Sequence, residues 1–172
     1  MKSARSVALA GVFTALCVTL LFIGSAVSVL DLGSAAITSF VILIALTELG
    51  GVRALAVYAA SAVLALVLLP NKEPAVYFAA FAGFYPVLKV PLNRIKPKWL
   101  SVLARFAVFD LCAAGAVAAL YFWLKIPLET GWYAVLLILA ANLAFAVYDL
   151  ALERAVLFYN LKLRNHIFGK RR

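Results

Sequence analysis

The sequence predicts an all-α polytopic membrane protein, a bundle of six transmembrane helices with its N- and C-termini in the cytoplasm. Of the 172 residues, 67% are hydrophobic and 13% are charged, whereas a soluble domain has about 45–50% apolar and about 25% charged residues. The apolar residues form six long runs separated by short polar segments, as membrane-spanning helices require. The basic residues concentrate in alternate loops and in the tails, which indicates how the helices are oriented.

The six runs are continuous rather than alternating, which excludes the strands of a membrane β-barrel. Glycines or prolines stand in several of the breaks between them, where they end helices. The second and fourth runs are shorter than the roughly 20 residues that a span needs, so we expect neighbouring helices or a thinner bilayer to accommodate them. The predicted spans of the single domain 1–172 cover about residues 7–29, 35–49, 52–69, 75–90, 99–124 and 132–158.

Loop charge predicts the orientation. With the N-terminus inside, only Lys72 and Lys125 fall on the outer side and Arg105 lies within the fifth span, which leaves 13 of the 16 basic residues on the cytoplasmic side. Such an asymmetry over short loops is typical of multi-pass proteins, and we expect the plasma membrane as the location. The first run is longer than the core of a signal peptide, about 7–15 residues, and is interpreted as a retained span.

Several function classes are disfavoured. The net charge of +9 is not arranged as a basic stripe with interleaved aromatic residues, so nucleic-acid binding is not expected. Cys17 and Cys112 lie inside apolar runs and the only histidine, His166, lies in the basic tail. No metal site or cofactor is therefore expected. The sequence also lacks a nucleophile elbow and a phosphate loop, so no catalytic motif indicates an enzyme.

Ionisable residues within spans are functional candidates because lipid makes them unfavourable. Asn142, Asp149 and Glu153 are spaced by seven and four residues, so they share a helix face that we expect to point into the bundle. Arg105 and Asp110 are five apart, about 140° around a helix, so each needs a partner from another helix. We expect Asp110 to find Lys89 or a polar group of the sixth span. The candidates for substrate binding or a polar cluster are Glu48, Tyr77, Tyr85, Lys89, Arg105, Asp110, Asn142 and Asp149; they could equally serve only to lock helices together.

Aromatic residues recur every four positions in the fourth span. Tyr77, Phe81 and Tyr85 precede Lys89 at this spacing, which predicts a stripe on one helix face. Pro86 removes a backbone hydrogen bond, so a kink is expected near Ala82. Such a helix can line a ligand pocket, or it can be ordinary packing.

Small residues at four-residue spacing let helices approach closely, within the bundle or against a partner. They occur on the first helix as Ala4 and Ala8, then Gly11 and Ala15, and on the third as Ala56 with Ala60 and Ser61 with Ala65.

The layout and the opening helix, which reads SVALAGVFTAL from Ser6 to Leu16, resemble the S component of energy-coupling factor transporters. The resemblance implies a vitamin- or metal-type binding subunit that captures substrate on the outer face and topples to release it inside. It implies docking of the first helix, through Gly11 and Ala15 or Ala4 and Ala8, on a transmembrane T component that works with ATPase subunits. The outer half offers few polar residues for a ligand: Ser25, Ser28, Asp31, Ser34, Thr38, Ser39, Asn71, Lys72, Glu73 and Tyr77.

The expected function is thus substrate capture for small-molecule uptake. Two alternatives stay open: an enzyme acting from the cytoplasmic face on lipid-linked substrates, with Glu48, Asp110, Asp149 or Glu153 as its acids, and an accessory membrane protein without a ligand.

Overall fold

The computed structural model describes residues 2–27, 30–124 and 131–159, and within them every regular element is helical. Six helical stretches are long and apolar enough to cross a membrane, which confirms the predicted fold class. The fourth stretch consists of two α-helices joined by a π-helical segment. The elements are α1 (Lys2–Ser25), α2 (Asp31–Leu49), α3 (Gly51–Leu68), α4 (Glu73–Tyr77), the π segment (Phe78–Ala82), α5 (Tyr85–Leu92), α6 (Lys98–Leu124) and α7 (Trp132–Phe158).

The second and fourth spans are longer than predicted, at 19 and 20 residues. The second begins at Asp31 rather than at residue 35 because Asp31 and Ser34 lie in its first turn and are buried against protein, so their polarity does not end the helix. Neighbouring helices shield these two spans most: 50% and 44% of their residues are buried, against 11% in each of the spans of α6 and α7.

The fourth span is interrupted where the sequence predicts a kink. Pro86 lies in the first turn of α5, where its missing N–H costs little. Before it, the chain widens into a π turn in which the Gly83 N–H donates to the Phe78 carbonyl at 2.8 Å. The Tyr58 hydroxyl donates to the Ala79 carbonyl at 2.6 Å. A Cβ at Gly83 would lie 2.3 Å from the Tyr58 ring, so only glycine fits there.

The core lies between the first three helices and the fourth span. Cys17 and Leu21 of α1 and Ile42 of α2 are fully buried there. A Cβ at Gly24 would lie 2.0 Å from the Ser34 hydroxyl oxygen, so α1 and α2 approach closely near this point. Of the small-residue pairs on α3, Ser61 and Ala65 are buried, while Ala56 and Ala60 are exposed.

The bundle has two ends, and at each a hydrogen bond connects the terminus of one helix to that of another. We call the end where α1 begins the proximal end; there the Tyr159 hydroxyl, just after α7, donates to Glu48 near the end of α2 at 3.1 Å. At the opposite, distal end, Asn71 after α3 donates to Asp31 at the start of α2. The charge pattern predicts that the proximal end faces the cytoplasm.

Candidate functional site

Four charged side chains from three helices form an ionic network in the proximal half of the bundle. Asp149 of α7 lies between two cations: its Oδ1 is 2.5 Å from Lys89 Nζ of α5, and its Oδ2 is 2.5 Å from Arg105 Nη1 of α6. Glu153, one turn further along α7, lies 3.3 Å from Lys89 and 3.1 Å from Arg105. The network holds two positive and two negative charges and is therefore neutral.

The core of this network is withdrawn from its surroundings. The side chains of Lys89, Arg105 and Asp149 are 8%, 12% and 14% exposed, whereas that of Glu153 is 44% exposed. The Tyr85 hydroxyl donates to Asp149 Oδ1 at 2.6 Å, and Lys89 also donates to the Asp149 carbonyl at 2.6 Å. Burial of this kind requires that each charge be paired and hydrogen-bonded, and here these conditions are met within the protein.

Ring contacts establish part of the aromatic stripe. Phe81 and Tyr85 stack at 4.6 Å between ring centroids, and Phe81 also meets Phe109 of α6 and Phe145 of α7 at 5.2 and 5.6 Å. Tyr77 packs against Val76 and Ala116, the latter on α6, and against the core of the first three helices. The π segment lies between Tyr77 and Tyr85 and changes the helical register there, so the contacts above establish the stripe for Phe81 and Tyr85, and the place of Tyr77 in it stays a prediction.

Asp110 and Asn142 form a separate pair further from the proximal end. The Asn142 amide donates to Asp110 Oδ1 at 3.0 Å, which confirms that Asp110 finds a polar group of the sixth span rather than Lys89. Asn142, Asp149 and Glu153 share a face that points to α6, as predicted. Asn142 hydrogen-bonds to Asp110, whereas the two acids form ion pairs with the cations of the network. Asp110 is exposed on the surface of the described chain.

Glu48 lies apart from the network. Its carboxylate accepts the hydrogen bond from Tyr159, which connects the ends of α2 and α7. Arg53, across the Gly50-Gly51 turn, donates to the Leu49 carbonyl at 3.5 Å.

The distal end carries a polar cluster built from residues that the sequence predicts for the outer half, of which only Tyr77 was among the predicted site residues. Asp31 is buried, with 5% of its surface exposed, and both its carboxylate oxygens lie 3.3 Å from Asn71 Nδ2. Tyr77 lies four residues after Glu73 in α4, so the two share a helix face. Among the described residues no lysine or arginine pairs with Asp31; Lys72 donates instead to the carbonyls at the end of α3. The feature of the sequence that indicates this cluster is Asp31, an acid that stands just before the second apolar run.

The small residues of α1 form one surface stripe. Ala4, Ala8, Gly11 and Ala15 are all exposed, and a Cβ at Gly11 would meet nothing within 4 Å. The opposite face of α1, with Cys17 and Leu21, is buried in the core. The stripe is therefore left open by the described part of the chain.

A groove of about 510 Å³ lies between α2 and α7, and a smaller pocket of about 130 Å³ adjoins it toward the proximal end. The groove is almost wholly apolar, so it suits a hydrocarbon chain better than a polar ligand. Its lining residues are Ala36, Phe40, Ala140, Leu143, Ala144, Val147, Tyr148 and Ala151.

No group of three or more metal-ligating side chains occurs among the described residues. Comparison of the chain with protein-family models, with curated proteins and with solved structures gave no match.

We expect Asp149→Asn to destabilise the bundle by about 3–5 kcal/mol, because it leaves two buried cations with only the partly exposed Glu153. Glu153→Gln is the matched control and should cost about 1 kcal/mol or less, since its side chain is 44% exposed and Asp149 still pairs with both cations. Reversible unfolding of the purified protein in detergent micelles measures both. Equal losses for the two variants would show that Asp149 does not hold the network together.

Proposed function

We propose that this chain is the substrate-capturing membrane subunit of a small-molecule uptake transporter, similar to an S component of the energy-coupling factor type. In this proposal the proximal end faces the cytoplasm and the distal end faces outward. Substrate enters at the distal cluster of Asp31, Asn71 and Tyr77, and α1 docks on a transmembrane partner that works with ATPase subunits.

The observation that carries the proposal is the difference between the two ends in how buried acids are neutralised. Asp149 has two cations and a phenol as partners, whereas Asp31, also buried, has one neutral amide among the described residues. A buried carboxylate without a cation is unfavourable by several kcal/mol. A bound substrate that carries a cationic or hydrogen-bond-donating group would remove this cost.

The distal cluster suits small ligands with such a group. Asp31 supplies two acceptor oxygens, Tyr77 supplies a hydroxyl, and Asn71 is held by the Glu73 N–H, which donates to its Oδ1 at 3.1 Å. The buried Ser34 and Thr38 hydroxyls donate to carbonyls of their own helix, which leaves them only acceptor capacity. A cluster so rich in acceptors favours a donor-rich ligand over an anionic one.

The ionic network has a structural role in this proposal. Lys89, Arg105 and Asp149 satisfy one another, so no charge is left over for a ligand. They fix α5, α6 and α7 relative to one another, which allows the bundle to move as one body against a partner.

A second candidate, an enzyme acting on lipid-linked substrates from the cytoplasmic face, is favoured by the apolar groove between α2 and α7. It ranks below substrate capture because Asp149 is bound by two cations and a phenol and is therefore poorly placed to act as a base.

Native mass spectrometry of gently solubilised protein tests the capture site. We expect the protein to retain a small polar molecule, and Asp31→Asn to lose it, because the amide removes the charge that binds the ligand. Glu73→Gln is the matched control, because it also replaces a carboxylate by an amide of the same size, at the edge of the cluster. This variant should retain most of the ligand. If the protein carries only lipid, or if the two variants behave alike, substrate capture at Asp31 is refuted.

Replacement of Gly11 tests the docking stripe. Gly11→Leu should leave the fold intact, since its surroundings are open, but should reduce recovery of partner subunits at least about tenfold by blocking close helix approach. Gly115→Leu on α6 is the matched control, because a Cβ there also meets nothing within 4 Å. Co-purification from membranes, followed by quantitative mass spectrometry, compares the two; equal recovery would contradict docking through α1.

Cysteine labelling tests the orientation. In a background with Cys17 and Cys112 replaced by alanine, Pro70→Cys at the distal end should react with a membrane-impermeant maleimide in intact cells. Lys96→Cys, in the proximal loop, should react only after permeabilisation. The reverse pattern would place Asp31 in the cytoplasm and end the uptake proposal.

A further inference from the structure

Asp110 and Asn142 form a polar pair on the surface of α6 and α7, near the middle of both spans. Asp110 lies 12 residues after the start of α6, and Asn142 lies 10 residues after the start of α7. At 1.5 Å per residue these positions are about 18 and 15 Å along their helices. The exposed carboxylate therefore lies at a depth where a bilayer holds hydrocarbon.

The hydrogen-bond donors of this pair are used up. The Asn142 amide nitrogen has two hydrogens; one goes to Asp110 Oδ1 at 3.0 Å and the other to the Ile138 carbonyl of its own helix at 3.1 Å. Within the part of the chain that the structure describes, no lysine, arginine or second donor contacts Asp110. The pair thus presents only acceptor oxygens and one negative charge to its surroundings.

The surface around the pair is apolar, and within residues 2–27, 30–124 and 131–159 no other helix covers it. Ala107 and Ala114, on the same face of α6 as Asp110, are exposed, as is Leu139 beside Asn142 on α7. Lipid chains offer no hydrogen-bond donor, so an ionised carboxylate here is strongly unfavourable without a cation beside it.

We infer that this face, the Asp110 surface (Ala107, Asp110, Ala114, Leu139 and Asn142), docks a transmembrane helix of another protein that presents a lysine or arginine near mid-membrane. Charge complementarity selects this occupant. A second copy of the chain would place another carboxylate against the first, together with an Asn142 amide whose two hydrogens are already donated. The small residues on α6 let a partner backbone approach closely enough for its cation to reach Asp110.

This surface is separate from the small-residue stripe of α1. Helix α1 packs on α2 and α3, whereas α6 packs on the fourth span. The inference therefore does not depend on substrate capture. A bundle whose α1 docks nowhere could still bind a cationic helix through α6 and α7.

Reconstitution with designed helices tests the inference. The full-length protein, with an acceptor dye at its N-terminus, is placed in phosphatidylcholine vesicles with a donor-labelled leucine-rich transmembrane peptide. One peptide carries a single central lysine, a second has methionine at that position, and a third has its lysine near one end. We expect energy transfer to show association with the central-lysine peptide about tenfold tighter than with the other two.

Protein variants then locate the contact. Asp110→Asn should abolish the preference for the central lysine, Asp110→Glu should restore most of it, and Glu153→Gln, which removes a carboxylate near the proximal end, should leave it unchanged. The inference is overturned if wild-type protein does not prefer the central-lysine peptide, or if Asp110→Asn keeps the preference. Self-association of the protein that depends on Asp110 and excludes the peptide would also overturn it, by showing that a second copy covers the surface. Should Asp110→Asn fail to fold, as judged by circular dichroism, the three peptides compared on the wild-type protein decide the outcome.

Discussion

Asp149 bonds to three groups at once, and the arrangement of the second half of the bundle depends on it. Lys89, Arg105 and Tyr85 come from α5 and α6 and converge on this one carboxylate of α7. The spans of α6 and α7 bury only 11% of their residues each, so apolar packing alone holds them weakly. In a solvent without hydrogen-bond donors or acceptors, separating these groups would leave unpaired charges, which is far more unfavourable than losing apolar contacts. The network therefore sets how α5, α6 and α7 lie together.

The same constraint divides the polar residues into two kinds. Some charges are neutralised within the chain, as in the network around Asp149. Two others have, among the residues that the structure describes, one neutral amide as partner: Asp31 at the distal end and Asp110 near the middle of its span. Asp31 is buried and Asp110 is exposed, so the first suits a small ligand and the second suits a neighbouring helix. The functional proposals follow from this incomplete pairing, since completed pairs have no need of another molecule.

The fourth span connects these features because its helical register changes midway. Before the π segment, Tyr77 lies one turn after Glu73 at the distal end. Phe81 within the segment contacts α6, and Tyr85 and Lys89 after it bind α7. A continuous α-helix would have placed all four on one face. Gly83 and Tyr58 make the irregular turn possible, the first by leaving room for a ring and the second by satisfying a carbonyl.

The number of spans, most of their boundaries and a break in the fourth span could be predicted from the sequence, as could the need of Asp110 for a partner from another helix. These follow from local properties: run length, helix-breaking residues and the angular spacing of polar groups on one helix. The packing of the helices settled that Asp31 and Ser34 belong to the second helix, that Asn142 rather than Lys89 binds Asp110, and that Lys89 and Arg105 share Asp149. Those outcomes depend on which helices become neighbours and at what depth. Several apolar helices can pack in many ways, and spacing along one chain segment does not say which charge of another segment will lie beside it.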